Sequence, residues 1–132
     1  MTLRFTKMQG CGNDYIYVNG FDQTIPYPEA AAVTLSDRHF GIGGDGLIII
    51  RPSETADARM QMFNADGSEG EMCGNAIRCV GKYLLDHHLA TGNVLRIETA
   101  AGIKTLTMMK EQGAVVGARV DMGCASLLAA SI

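Results

Sequence analysis

The sequence has neither a long hydrophobic run nor a run of basic residues. Its apolar runs are short: Leu47 to Ile50 has the length of a β-strand, far below the about 20 residues that a membrane-spanning helix needs. Met1 to Gln9 lacks the apolar core of a secretory signal peptide. The net charge is −3 and the basic residues form no stripe, so nucleic acid is not an expected partner. We therefore predict a cytoplasmic protein that binds neither membranes nor nucleic acid.

Patterns typical of disulfide frameworks and zinc sites are also missing. The four cysteines are Cys11, Cys73, Cys79 and Cys124. They form no CxxC pair, and no Cys/His cluster has the spacing of metal ligands. In a cytosolic protein we expect these thiols to stay reduced. His87 and His88 are adjacent on a predicted helix and point in different directions, which makes them a poor chelating pair.

What the sequence does have is a regular supply of apolar residues along its 132 positions, enough for one folded domain with its own core. Alternating or β-branched runs predict strands at 3–8, 15–18, 47–50, 58–63, 94–99, 104–109 and 115–121. Pro28 suits a helix start and predicts a short helix over 29–38. Apolar spacing of three and four predicts a longer helix from 74 to about 89, ended by Gly92-Asn93. Many strands with one long helix favour an α+β fold.

The densest group of chemically unusual residues runs from Phe63 to Cys79. It is typical of a strand, an Asp-Gly turn and a cysteine at the start of a helix. The unpaired amides and the positive dipole end of a helix favour the thiolate form of Cys73. The amides of Gly74 and Asn75 would form a small anion site that suits an α-carboxylate. A single cysteine in an apolar chain is also commonly a small buried residue, so both interpretations of Cys73 stay open on the residues alone.

Three segments resemble the diaminopimelate epimerase family. They are Phe5 to Gly10 with Gly12 to Asp14, Asp37 to Gly43 with Asp45 and Gly46, and Phe63 to Glu69 continuing to Met72 to Asn75, Arg78 and Cys79. The resemblance covers residues 1 to about 123. It implies interconversion of LL- and meso-diaminopimelate in lysine biosynthesis, without pyridoxal phosphate, a metal or another cofactor. It also implies a mixed, largely antiparallel sheet wrapped around one long central helix.

In that family two cysteines face each other across the substrate α-carbon, one accepting a proton and the other delivering one. The resemblance makes Cys73 the catalytic cysteine and Asn13, Asn64, Gly74 and Asn75 substrate-binding residues. Gly46 stands where some members carry a glutamine that touches the substrate.

The family's second cysteine lies in a second domain. We therefore expect 1–123 to be an amino-terminal epimerase domain, 124–132 to be an atypical tail left by truncation, and the carboxy-terminal domain to be absent. On that expectation the chain alone is inactive.

The other cysteines are not expected to replace the missing one. Cys11 is expected to be a small loop residue, and Cys124 receives no role. Cys79 follows Cys73 by six residues on the same helix, points away from it, and is expected in the core. Gly41 to Gly46 matches the pattern GxGxxG, but it precedes a predicted strand instead of following one, so we predict a tight turn and no dinucleotide site.

Two alternatives remain. Proline and hydroxyproline racemases also place a cysteine at a helix start, but they usually have histidine where this chain has Asn75. Phenazine-type isomerases of the same fold lack the cysteine, so Cys73 counts against them.

The second alternative is a non-catalytic folded fragment or interaction module. Its exposed apolar face would promote self-association, so a homo-oligomer is also an expectation.

Overall fold

The computed structural model describes residues 3–10, 13–70 and 74–121. Its helices are α1 (Pro28–Ser36) and α2 (Gly74–Asp86). Its strands are β1 (Thr6–Gly10), β2 (Asn13–Asn19), β3 (Gly46–Arg51), β4 (Ala58–Asn64), β5 (Glu69–Gly70), β6 (Val94–Thr99), β7 (Gly102–Glu111) and β8 (Ala114–Asp121).

The described strands form one mixed sheet in the order β1-β2-β3-β4-β6-β7-β8, with β5 paired to β4. The pairs β2/β3 and β4/β6 are parallel, and the other pairs are antiparallel. Parallel neighbours need a crossover connection, and each crossover here contains a helix: α1 joins β2 to β3, and α2 lies between β4 and β6.

Both faces of the sheet are covered. One face packs against α2, whose buried residues include Ile77, Val80 and Leu84. The opposite face packs against α1 through a smaller cluster that contains Ala32. Because β3 is buried on both sides, its Leu47 to Ile50 run is apolar without alternation.

The predicted α+β fold is confirmed, but a long helix as the single centre of the sheet is not. Helix α2 has 13 residues and ends at Asp86, short of the predicted end near residue 89. The early end has a local cause, because His88 adopts a left-handed φ of 58° and the Leu89 amide bonds the Leu84 carbonyl at 2.8 Å. The expected terminator Gly92-Asn93 therefore lies beyond the helix, and α1 occupies the other face.

Smaller differences concern element ends. Strand β1 begins at Thr6 and not at Leu3, and α1 ends at Ser36 because Asp37 is extended. The Asp37 carboxylate accepts hydrogen bonds from the amides of His39 and Phe40, which starts a turn in place of another helical residue. Neither described helix has the length and apolar composition for a membrane crossing.

Candidate functional site

Three strand ends meet at one end of the sheet. Asn13 opens β2, Gly46 opens β3 and Asn64 closes β4. The register pairs Gly46 with Tyr15 on one side and with Asn64 on the other. Because side chains alternate along a strand, Asn13 and Asn64 are placed on the face that packs against α2. Tyr15 and Asn64 both pair with Gly46, so ordinary strand spacing places their backbones about 10 Å apart.

Helix α2 begins at this same end of the sheet. Strand β5 runs beside β4, and a β-carbon on Gly70 would lie 3.7 Å from the side-chain amide of Asn64. The helix starts at Gly74, four residues further on. At the other end of α2, Tyr83 lines the same cavity as Asn19, the last residue of β2. Helix α2 thus runs alongside β2, and its amino terminus lies at the end of the sheet that carries Asn64.

The turn after β4 holds the Asn64 side chain. Asn64 Nδ2 donates to Ser68 Oγ at 3.1 Å, and the Ser68 hydroxyl donates to Asp66 Oδ1 at 2.6 Å. The Ser68 amide donates to the same oxygen at 2.9 Å. These bonds, the hydroxyl first, lower the pKa of the Asp66 carboxyl. Since the amide nitrogen of Asn64 faces Ser68, its Oδ1 is directed away from the turn.

Arg78 holds the Asn75 side chain in the opposite sense. Its Nη1 donates to Asn75 Oδ1 at 3.3 Å, and its Nε donates to the carbonyl of Ala118 on β8 at 3.0 Å. The amide nitrogen of Asn75 therefore points away from the guanidinium. Next to it, a β-carbon on Gly74 would have no described atom within 4 Å apart from its chain neighbours and the backbone of α2 itself, so no other described element packs on this backbone.

An ion network on the other face ties these strand ends together. Arg38 donates to both carboxylate oxygens of Asp14, at 2.9 and 3.2 Å, and Lys7 lies 3.3 Å from one of them. The Arg38 guanidinium, helped by Lys7, holds the pKa of the Asp14 carboxyl well below its ordinary value, although burial opposes this. The amide of Asp45 donates to the Asp14 carbonyl at 2.6 Å, and the Asp14 amide donates to the Asp45 carboxylate at 3.0 Å. The network therefore fixes the first residues of β2 and β3, next to Asn13.

Gly46 is required by close packing. A β-carbon there would overlap the carbonyl oxygen of Phe63 and would lie 3.1 Å from Tyr15 Cε1 and 3.3 Å from the Cα of Asn64. The backbones of β3 and β4 leave no room for a side chain that starts in this direction.

The predicted substrate-binding residues Asn13, Asn64, Gly74 and Asn75 are thus placed at one end of the fold. The predicted catalytic residue Cys73 lies outside the described residues, so its role stays a prediction. The expectations for Cys11 and Cys124 also fall outside them.

Cys79 lies at the margin of the core, partly buried against the α2 cluster. The GxGxxG segment precedes a strand, as predicted, but it is not a tight turn. Gly41 to Asp45 form an irregular loop after a turn at residues 38–40, and Gly46 is already the first residue of β3. Sequence reasoning missed Arg78 and Ser68. Their signals were an arginine one turn after Asn75 and a serine two residues after Asp66.

A family model described as diaminopimelate epimerase matches residues 5–128. The chain belongs to the diaminopimelate epimerase family. The diaminopimelate epimerase of Desulfovibrio desulfuricans is 61% identical over 123 residues, which are 93% of this chain and 43% of the relative. That of Acetivibrio thermocellus is 60% identical over 121 residues, covering 92% of this chain and 43% of the relative.

The chain therefore spans less than half the length of the diaminopimelate epimerases it matches. Its fold also occurs in a solved structure, a probable proline racemase from Agrobacterium radiobacter. That structure superposes with a TM-score of 0.74 at 19% identity, over 92% of this chain and 42% of the other. At that identity the likeness shows a shared fold and nothing about the substrate.

Proposed function

We propose that the chain supplies one half of the active site of a cofactor-independent enzyme that interconverts LL- and meso-diaminopimelate in the cytoplasm. The observation that carries this proposal is the convergence of Asn13, Asn64, Gly74 and Asn75 at one end of the sheet, beside the start of α2. Family membership supplies the substrate class. As part of the proposal, the sheet wraps around α2, which contacts β1 and β2 near one edge and β7 and β8 at the other.

The chemistry follows from a helix start beside a cysteine. The α-carboxylate of the substrate docks on the amides of Gly74 and Asn75, where the helix dipole favours negative charge. Cys73, as thiolate, removes the α-proton and becomes a thiol, and the electron pair stays on the α-carbon and its carboxylate. A second thiol, from the rest of the enzyme, gives its proton to the opposite face and becomes a thiolate. The bound carboxylate stabilises the carbanion because its charge is held by fixed donors.

Deuterium wash-in tests the catalytic part of this proposal. The purified chain is incubated with meso-diaminopimelate in reducing D₂O buffer, and deuterium at the α-carbons is measured by mass spectrometry. We expect exchange far slower than in a complete family enzyme, because the opposite face lacks its thiol. Any exchange should disappear in Cys73→Ser and persist in the matched control Cys79→Ser. Exchange that survives Cys73→Ser would contradict the assignment of Cys73.

Binding is tested separately from exchange. In a ¹⁵N-labelled chain, meso-diaminopimelate should shift the amide signals of Gly74 and Asn75 and the side-chain amides of Asn13 and Asn64. A titration that moves none of these signals at millimolar ligand would contradict the proposed site. Self-association into a homo-oligomer stays a prediction, and sedimentation at several protein concentrations measures it.

A further inference from the structure

We propose that Arg78 and the Asp66–Ser68 pair are positioning residues that set the side-chain amides of Asn75 and Asn64 in opposite senses. In this arrangement Asn75 offers a donor and Asn64 offers an acceptor. The two asparagine amides, Asn75 and Asn64, therefore determine the direction in which a zwitterionic substrate binds. The inference rests on the proposed function for its substrate class.

A carboxamide has nearly the same shape after a half-turn about its last bond, so only its neighbours decide where the oxygen and the nitrogen lie. At Asn75 the neighbour is Arg78, whose guanidinium can only donate. Only one arrangement of the Asn75 amide can therefore form a hydrogen bond with Arg78, the one in which Oδ1 lies 3.3 Å from Nη1. The second bond of Arg78, from Nε to the Ala118 carbonyl at 3.0 Å, fixes the guanidinium itself against β8.

At Asn64 the decision is made by a relay. A serine hydroxyl can donate or accept, but an ionised carboxylate can only accept. The Ser68 hydroxyl therefore donates its hydrogen bond to Asp66 at 2.6 Å. The Ser68 oxygen then accepts a hydrogen bond from Asn64 Nδ2 at 3.1 Å. A carboxyl with the ordinary aspartate pKa is already ionised at neutral pH, and the hydrogen bonds from Ser68 lower the pKa of Asp66 further. Asp66 thus acts on Asn64 through Ser68, as Arg78 acts directly on Asn75.

The result is a gradient of hydrogen-bonding character across the site. The α2 side presents the Asn75 Nδ2 donors together with the backbone amides of the helix start, which suit a carboxylate. The β4 side presents Asn64 Oδ1, which suits an ammonium group. An amino acid bound in the reverse direction would set its carboxylate against an acceptor and its ammonium against donors.

Side-chain amide relaxation tests the positioning step without any ligand. In the ¹⁵N-labelled chain we expect both amides to be nearly as rigid as the backbone, with order parameters about 0.85. Arg78→Met should lower the value of Asn75 to below about 0.6 and leave Asn64 unchanged. Ser68→Ala should do the converse. Arg59→Met is the matched charge control, because Arg59 is exposed on β4 and alternation places it on the α1 face.

Arg78→Lys guards against a variant that fails to fold. It keeps the positive charge but lacks the planar fork, so it should restore the fold and only part of the rigidity of Asn75. An Asn75 amide that stays rigid in Arg78→Met or in Arg78→Lys to the wild-type degree would overturn the role of Arg78. An Asn64 amide that is unaffected by Ser68→Ala would overturn the relay.

Glutarate and cadaverine, which carry only carboxylates or only ammonium groups, test the direction. Glutarate should shift the Asn75 side-chain amide, and cadaverine should shift that of Asn64. Arg78→Met should weaken glutarate about 5- to 10-fold and leave cadaverine within about 2-fold. Equal effects on both probes would overturn the gradient. If the rigidity pattern holds but diaminopimelate moves neither amide, the proposed function fails while the positioning roles stand.

Discussion

Replacing Gly46 by alanine should damage the centre of the sheet, whereas the same replacement at Gly74 should not. A β-carbon at position 46 would overlap the Phe63 carbonyl oxygen, which belongs to the backbone of the neighbouring strand β4. Backbone between two paired strands cannot move aside as a flexible side chain can. At position 74, among the described residues, only the chain neighbours and the backbone of α2 itself lie near the new carbon, and no atom of another element comes within 4 Å.

The magnitude follows from two opposing effects. Forcing an extra carbon into a packed site costs about 1–3 kcal/mol. Replacing glycine by alanine also restricts the unfolded chain, which stabilises the fold by about 0.4–1 kcal/mol where no clash occurs. We therefore expect Gly46→Ala to lose about 1–2 kcal/mol of unfolding free energy, and Gly74→Ala to gain up to about 1 kcal/mol.

Urea denaturation followed by circular dichroism measures both variants in one experiment. The midpoints should separate by about 1–3 kcal/mol once multiplied by a common m-value, since neither change alters the surface exposed on unfolding. A Gly46→Ala protein as stable as Gly74→Ala would refute the reasoning, because it would mean that β3 and β4 can part at no cost. The Asn64 signals should shift in Gly46→Ala, as its Cα lies 3.3 Å from the new carbon.

Three further predictions concern residues outside that contact. The pKa of the Asp14 carboxyl is lowered in the fold, so its ionised form contributes stability that is fully present above the ordinary pKa of 3.8 and is lost as the pH falls below it. In an acid titration, the unfolding free energy of Asp14→Asn should fall less steeply between about pH 4 and 2 than that of the wild type. Equal slopes of unfolding free energy against pH would contradict the ion network. His88→Gly should raise the unfolding free energy by about 0.5–1 kcal/mol in urea denaturation, because His88 has a left-handed φ of 58° that glycine adopts freely. A loss of stability would show that the His88 side chain contributes more than its backbone conformation costs. Gln112 and Gly113 form the two-residue turn between β7 and β8, and both have positive φ, which is typical of a turn that favours Asn-Gly. Gln112→Asn should therefore raise the melting temperature slightly, and a lower melting temperature would contradict that turn type.

Local sequence patterns predict the strands well where one face alternates. Strand β6 spans Val94–Thr99 as predicted, because its buried and exposed residues follow period two. The two-residue strand β5 has no pattern to read, since it exists through its pairing with β4. The end of α2 was misplaced because the chain turns at His88, a residue type that gives little warning of a left-handed backbone.

The site shows the same division between local and distant information. Family resemblance supplied Asn13, Asn64, Gly74 and Asn75, but the parallel crossovers that place them together cannot be read from any one segment. Arg78 escaped notice because its second partner, Ala118, is 40 residues further along the chain. Composition describes what a residue can do, whereas only the tertiary arrangement shows which neighbour limits it.

Helix α2 touches strands at both edges of the sheet, which has a consequence for how the domain opens. Neither β1 nor β8 can leave the sheet without uncovering part of the same helix. Amide hydrogens in the two edge strands, although distant in sequence, should therefore become accessible to solvent in a single shared event instead of fraying one by one. A ligand that seats on the first turn of α2 would then slow exchange at both borders of the domain together.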